Sequence, residues 1–501
     1  TAGSSGRWMV IAYAPKAGTG HQVTVQGSNK IVLKNVAIGE VWLCAGQSNM
    51  GWSMGNSFEA EKEAKVDLPH FRIFRSAREH WHEPLKENRD RLASWKACHP
   101  KSASETSAVS YYFGKKLHQT LGVPVGIIQH AYAGTPIEGW MPWSIQKDDP
   151  RAQAHKRSYD EVAKRLQARG ASREKALAAF GKELAEYNAK IDRGETMKNQ
   201  FRPLAPPIIT KPSDLGHQYP AHIFNAMIVP IRPYAIRGMV WYQGERNAKN
   251  APQAEHYAVQ LRRMIDHYRS SCHGDSWGAV SDGFPVYFTQ LPSWNPPQSK
   301  PVEGPESPWA VSRESMRKVS LSLYDTGMAV TIDTGDAIAL HPKNKKPIGL
   351  RHAYLALGKT YGLPIVHEGP VLTGHTVKDG KIILRFDSVG SGLVPARKGK
   401  LDAFALAGKD KVWHWADAKI EKDSIVLSSP QVKSPVAARY AWAMNPSQRN
   451  LLYNKEGFPS SPFRTDDWPL YDPGAELIEV IKPAKPKGYQ SKDWARPQIA
   501  E

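Results

Sequence analysis

The chain has 501 residues, 41% of them hydrophobic, and its 67 Lys+Arg against 48 Asp+Glu give a formal net charge of +19. That apolar share excludes wholesale disorder, and the length suits roughly two to four domains. The longest apolar runs, such as Gly238–Tyr242 and Met328–Ile332, fall far short of the roughly 18 residues of a membrane helix, and the basic residues are scattered from Arg7 to Arg496 instead of forming a nucleic-acid-binding patch.

Thr1–Gly6 is small and polar, with none of the apolar core of a signal peptide. Trp8–Tyr13 and His21–Lys34 then alternate like strands, so the expected start is a processed one. A periplasmic or extracellular location is expected, with the export signal outside this sequence. Val41–Ala45 is a short apolar run ending in Gly46, which reads as a buried strand entering a tight turn. Ser110–Thr120 has helical spacing. Val123–Gln129 is a second apolar strand leading into the Gly-containing loop Ala131–Thr135, and Arg237–Tyr242 is a third, ending in Gln243-Gly244-Glu245. His256–Tyr268 reads as a helix, Val286–Leu291 and Gly327–Ile332 as strands, and Gly349–Tyr361 as a helix closed by Gly362. Strands alternating with helices predict a parallel sheet covered on both faces, with its chemistry at the carboxyl ends of the strands.

Other stretches depart from that rhythm. Arg151–Ile191 is charged and helical, with Leu177, Phe180, Leu184, Tyr187 and Ile191 on one face, and Pro203–Pro212 then forbids helix. This predicts a helical insertion over about 148–205, packed over the sheet or beside the site. After Leu363 the helical patterns stop, and short runs from Gly369 to Trp442, separated by turn residues at intervals of about ten, predict a β-sandwich. The expected domains are therefore 1–37, N-terminal strands forming a partial sandwich; 38–365, the α/β domain with its insertion; and 366–501, a C-terminal β-sandwich and tail.

The loops after the strands carry the candidate chemistry. Gly46-Gln47-Ser48-Asn49-Met50 places Ser48 at a strand-to-helix turn, where a glycine permits an unusual backbone and a helix N-terminus offers N–H donors. A hydroxyl there is a nucleophile if a base lies within reach, and otherwise a helix cap. In Ala133-Gly134-Thr135-Pro136, Gly134 lets a backbone N–H turn towards a developing oxyanion. Gln243-Gly244-Glu245 offers an amide donor and a carboxylate, and Pro342 favours an irregular loop around His341. Each alone also reads as a turn glycine, a polar cap or a surface histidine. Neither metal-ligand spacing nor a Gly-rich phosphate loop occurs, so no metal and no cofactor is expected. Cys44, Cys98 and Cys272 are too few for a disulfide framework, and Cys44 reads as a small core residue.

Together, Gly46–Met50, Gly134–Trp140, Trp241–Glu245 and His341–Lys345 resemble the blocks of sialate O-acetylesterase-like proteins, carbohydrate acetyl esterases of the SGNH (GDSL-like) hydrolase superfamily. Arg313-Glu314, Thr331-Ile332-Asp333, Tyr453–Pro459 and Ser461–Trp468 extend the resemblance over nearly the whole chain apart from the insertion. It implies a three-layer, flavodoxin-like α/β fold and a serine esterase acting on an acetylated carbohydrate, either sialic acid or a plant-type polysaccharide such as xylan, xyloglucan or pectin. Ser48 would attack the acetyl carbonyl to form an acetyl-serine, while His341 takes the proton and returns it to the leaving sugar hydroxyl. The oxyanion would meet the backbone N–H groups of Ser48 and Gly134 and the side-chain amide of Gln243. Asn49, Trp140, Trp241 and Arg246 are expected to contact the sugar, in a cleft to which Trp52 and Trp294 also offer faces.

One departure bears on mechanism. The superfamily usually carries Asp two or three residues before its catalytic His, and here those positions are Ile338 and Ala339. Glu245 is expected to orient His341 instead, as the Glu of this motif does in some related acetyl esterases. Asp336 is the alternative acid, and a bare Ser48–His341 dyad comes third. The competing function is a sugar-binding protein that keeps the fold but has weak or no turnover.

Overall fold

The computed structural model describes residues 8–485 and 487, apart from 64, 91–92, 168–169, 194, 196–202, 204–214, 305–306 and 475–477. The chain forms two compact units: Thr1–Arg78 with Arg89–Ile137 and Arg232–Glu501, and Glu79–Asn88 with Glu138–Ile231.

The first unit is built on a seven-stranded sheet, in the order Thr326–Ala329, Val286–Thr289, Gly238–Tyr242, Glu40–Gly46, Val125–Ala131, Leu68–Arg75 and Ser94–Cys98. Every neighbouring pair is parallel except the last, where the edge strand Ser94–Cys98 runs antiparallel. The inner strands Val125–Ala131 and Gly238–Tyr242 are buried throughout, as their continuous apolar text requires when helices cover both faces. On one face, Trp42, Cys44, Phe71, Ile127 and Val240 share a core with helices Ala108–Leu121 and Lys346–Leu355. Helices Ala251–Asp275 and Pro308–Ser322 pack together as a second pair. The Ser107 hydroxyl caps Ala108–Leu121 by accepting the Ser110 N–H (3.1 Å), and Gly122, at φ +66°, closes it. Glu40–Gly46 lies where earlier and later strands diverge to either side, the position at which open α/β sheets open a crevice beyond the strand ends.

Two four-stranded antiparallel sheets follow. One contains Val371–Lys378, Lys381–Asp387, Ser424–Ser428 and Asp417–Glu421; the other contains Trp413–Trp415, Phe404–Ala407, Ala437–Tyr440 and Phe463–Arg464. Ile382, Leu384, Ile425 and Leu427 from the first meet Phe404, Leu406, Tyr440 and Phe463 from the second in one core. These strands belong to the same compact unit as the parallel sheet. A buried ion pair ties the strand Leu452–Asn454, which shares that core, to the Lys346–Leu355 helix: Asp333 Oδ1 accepts from Arg351 Nη1 (2.7 Å) and Asp333 Oδ2 accepts from the Tyr453 hydroxyl (2.6 Å).

At the start of the chain, Gly18–Gln26 and Lys30–Ile38 form a two-stranded antiparallel hairpin. Trp8–Tyr13, expected as a strand, is irregular and pairs with no strand among the described residues, so its alternating text does not complete a ladder. In the second unit the expected insertion is two helices, Pro150–Gln167 and Gly170–Asp192. Phe180, Leu184 and Tyr187 of the predicted apolar face are half-buried, whereas Leu177 is exposed. Most of Pro203–Pro212 lies outside the described residues. Cys44, Cys98 and Cys272 are all buried and carry free thiols.

Candidate active site

The chain leaves the central strand through a turn fixed by backbone geometry. Gly46 adopts φ +148°, and a Cβ there would sit 2.1 Å from the Tyr242 carbonyl oxygen. That carbonyl accepts the Gln47 N–H (3.0 Å), and the Gly46 carbonyl accepts the Tyr132 N–H (2.9 Å), so both flanking strands clamp the turn. Ser48 follows immediately, in a turn closed by the Gly51 N–H on the Gln47 carbonyl (2.9 Å). The expected helix does not begin here. Gly51 and Gly55 lower helical propensity, and Ser53 bridges to Ser107, drawing the chain into the short 3-10 turn Met54–Asn56. Among the described residues the Ser48 backbone N–H meets no acceptor.

His341 stands in the irregular loop between Gly335–Asp336 and the Lys346–Leu355 helix. Its Nε2 lies 2.8 Å from Ser48 Oγ, and both residues are half-buried. The Trp52 indole stacks on the imidazole, with ring centroids 5.5 Å apart and planes 25° apart. Burial, followed by the nearby cations Lys345 and Lys482, pushes the imidazole down to about 4. Lys482 is carried there by a C-terminal segment tied to the site's own loops: the Val480 N–H donates to the Lys249 carbonyl (2.8 Å) and Asn295 Nδ2 to the Ile481 carbonyl (3.4 Å).

Neither candidate acid touches His341. Glu245, expected to orient it, is buried, and its Oε1 accepts from Asn49 Nδ2 at 2.5 Å. Its Oε2 has no hydrogen-bond partner among the described residues. Burial raises this carboxyl, opposed by the Asn49 hydrogen bond and by Lys345. Asp336 Oδ1 instead accepts the Ile338 and Ala339 N–H groups (2.8 and 2.7 Å), shaping the turn that leads to His341. Asn49 is also buried, with its amide engaged by the protein: Lys345 Nζ donates to its Oδ1, and its Nδ2 reaches the Leu340 carbonyl (3.3 Å). The buried series Glu245–Asn49–Lys345 therefore lies next to the nucleophile and steadies the His341 loop.

Gln243 is likewise differently employed. Its Nε2 hydrogens go to the Thr135 carbonyl (3.1 Å) and Asn247 Oδ1 (2.8 Å), and its Oε1 accepts from the Tyr257 hydroxyl (2.8 Å), so no amide hydrogen is left for an oxyanion. Gly134, at φ +72°, lies in the turn after Val125–Ala131 and is half-buried. Trp241 is fully buried, with its indole N–H on the Tyr257 hydroxyl (3.1 Å), and Trp140 is fully buried in the second unit. Neither offers a stacking face. Trp294 is buried against Trp309, with ring centroids 5.0 Å apart. Arg246 is half-buried in the 3-10 turn Glu245–Asn247.

Sequence reasoning missed Lys345, which reads as one more cation in a basic stretch yet is 1% exposed. It also missed Lys482, where no motif gives a signal. Among the described residues no group of three His, Cys, Asp or Glu is placed to hold a metal ion.

The sequence model of a family described as carbohydrate esterase, sialic acid-specific acetylesterase, matches residues 38–180 and 211–302. A carbohydrate acetylesterase of known structure from Xanthomonas citri is 30% identical, with the match covering 93% of this chain and 89% of that one at a TM-score of 0.73. The chain belongs to this carbohydrate esterase family. Two curated family relatives, the sialate O-acetylesterases of Mus musculus and Homo sapiens, are 26% and 24% identical over 92% of this chain, and the matches span 84% and 82% of their own lengths. The break in the family match, at 181–210, falls in the helical insertion of the second unit.

Proposed function

We propose that this chain is a serine esterase that removes O-acetyl groups from carbohydrates, and the observation that carries the reading is the 2.8 Å contact between Ser48 Oγ and His341 Nε2 beyond the central strand. The Ser48 O–H donates to Nε2. As Oγ attacks the acetyl carbonyl, that proton passes to the imidazole. The oxyanion is met by the Ser48 N–H, with the Gly134 N–H as its partner across the turn. Collapse expels the sugar oxygen, which takes the proton from the imidazolium, and water then hydrolyses the acetyl-serine by the same steps in reverse. The substrate is an acetylated sialic acid or an acetylated oligo- or polysaccharide such as xylan, met outside the cytoplasm. No helix of the described residues is long and apolar enough to cross a membrane.

Acetate release from acetylated xylan, acetylated sialic acid and nitrophenyl acetate tests the reading. Ser48→Ala is expected to lower kcat by about 10⁴ or more while leaving the fold intact. A wild type as inert as that variant on every ester would instead leave a carbohydrate-binding protein.

A further inference from the structure

A histidine that acts as base must be held with one ring nitrogen on the nucleophile, and in a Ser-His-acid site the acid holds it. Here the positions that would supply the acid are Ile338 and Ala339, while Glu245 and Asp336 are bonded elsewhere. Among the described residues the imidazole has one hydrogen-bond partner, Ser48 Oγ, and one ring neighbour, Trp52. Trp52 is itself locked. Its indole N–H donates to the Asn56 carbonyl (3.2 Å), and its own carbonyl accepts the N–H of Ala108, the first residue of the Ala108–Leu121 helix (2.8 Å). The bridge between Ser53 and Ser107 and the bond from the Met54 N–H to the Thr106 carbonyl (2.7 Å) fix the backbone on its C-terminal side.

We propose that Trp52 is the positioning residue for His341, its indole face taking over the orienting task of the missing triad acid. The stacked plane leaves the imidazole free to slide but not to rotate about its Cβ–Cγ bond, because rotation turns the ring edge towards the indole and gives up the stacking contact. Nε2 thus stays on Ser48 Oγ without a carboxylate. The indole also shields one imidazole face from water, in line with the burial that keeps the ring neutral. This differs from a sugar platform, in which Trp52 would act on substrate affinity alone. The inference rests on the serine esterase reading of the same site.

The test compares Trp52→Phe, which keeps a flat ring, with Trp52→Met, which keeps bulk without one. Both fill the space, and thermal melts of each establish that it is folded. With nitrophenyl acetate, Trp52→Met is expected to lower kcat by about 10²-fold, the low end for loss of a general base. Its KM should stay within about twofold, and the acidic limb of its pH profile should move up towards that of an ordinary imidazole. Trp52→Phe should recover kcat to within about fivefold of wild type. Equal kcat and an unmoved acidic limb in Trp52→Met overturn the proposal, as does a change confined to KM for acetylated sugars. Labelling with a fluorophosphonate separates the two readings. A wild type that is not labelled at Ser48 fails as a serine esterase, whereas labelling at equal rates in wild type and Trp52→Met sinks only the role given to Trp52.

Discussion

Lys345 and Glu245 are both buried, and the amide of Asn49 stands between them, accepting from one and donating to the other. A carboxylate held this way does not orient an imidazole, so Glu245→Gln is expected to lower kcat less than about tenfold, against about 10⁴ for neutralising the acid of a triad. Steady-state rates on nitrophenyl acetate decide between the two magnitudes. The environment of His341 sets the pH dependence. Its pKa is lowered to about 4, so the neutral, proton-accepting form persists well below the usual imidazole range. Log kcat/KM is expected to be flat from neutrality down to about pH 5 and to fall only as pH approaches 4. A limb near 6.5 would mean that water reaches the ring freely. Ser48 and His341 were legible in the sequence because the short motifs that hold them resemble, together, the blocks of one family; singly, each also read as a cap or a surface residue. The partners of His341 were not legible, since which group touches a ring depends on loops brought together from distant parts of the chain.

At the scale of elements, the turn after Glu40–Gly46 has the least freedom. At Gly46 a side chain would meet the carbonyl that binds Gln47 and would also strain a backbone at φ +148°. Gly46→Ala is expected to destabilise the protein by about 3 kcal/mol and to displace Ser48, with loss of activity even in the fraction that folds. Chemical denaturation with parallel rate measurements checks both effects. The inner parallel strands were readable as continuous apolar runs. Ser94–Cys98 went unread because it is the sheet's edge strand, and its inner neighbour Leu68–Arg75 because only Phe71 and Ile73 are buried in a text where charged and apolar residues mix. Ser48 was expected at a helix start because strand-turn-helix is the usual α/β grammar; the glycines at 51 and 55 are the signal that argued otherwise.

For the molecule as a whole, sequence rhythm separated the α/β portion from the C-terminal strands, yet both lie in one compact unit. The join is made by Arg351, Asp333 and Tyr453, which are far apart in the chain and are all buried. Turn spacing reveals strands but carries no information about such a contact. The family match breaks at 181–210, within the second unit, whereas Ser48, His341 and their partners all lie in the first.

Burial pushes the thiols of Cys44, Cys98 and Cys272 each to about 12, so the folded enzyme presents almost no thiolate to solvent. These cysteines sit in the central strand, the edge strand and the Ala251–Asp275 helix. Alkylating reagents would therefore record only moments when the protein opens. Peptide mapping after timed alkylation would rank how often the sheet's rim, its middle and its covering helix come apart, with no engineered label.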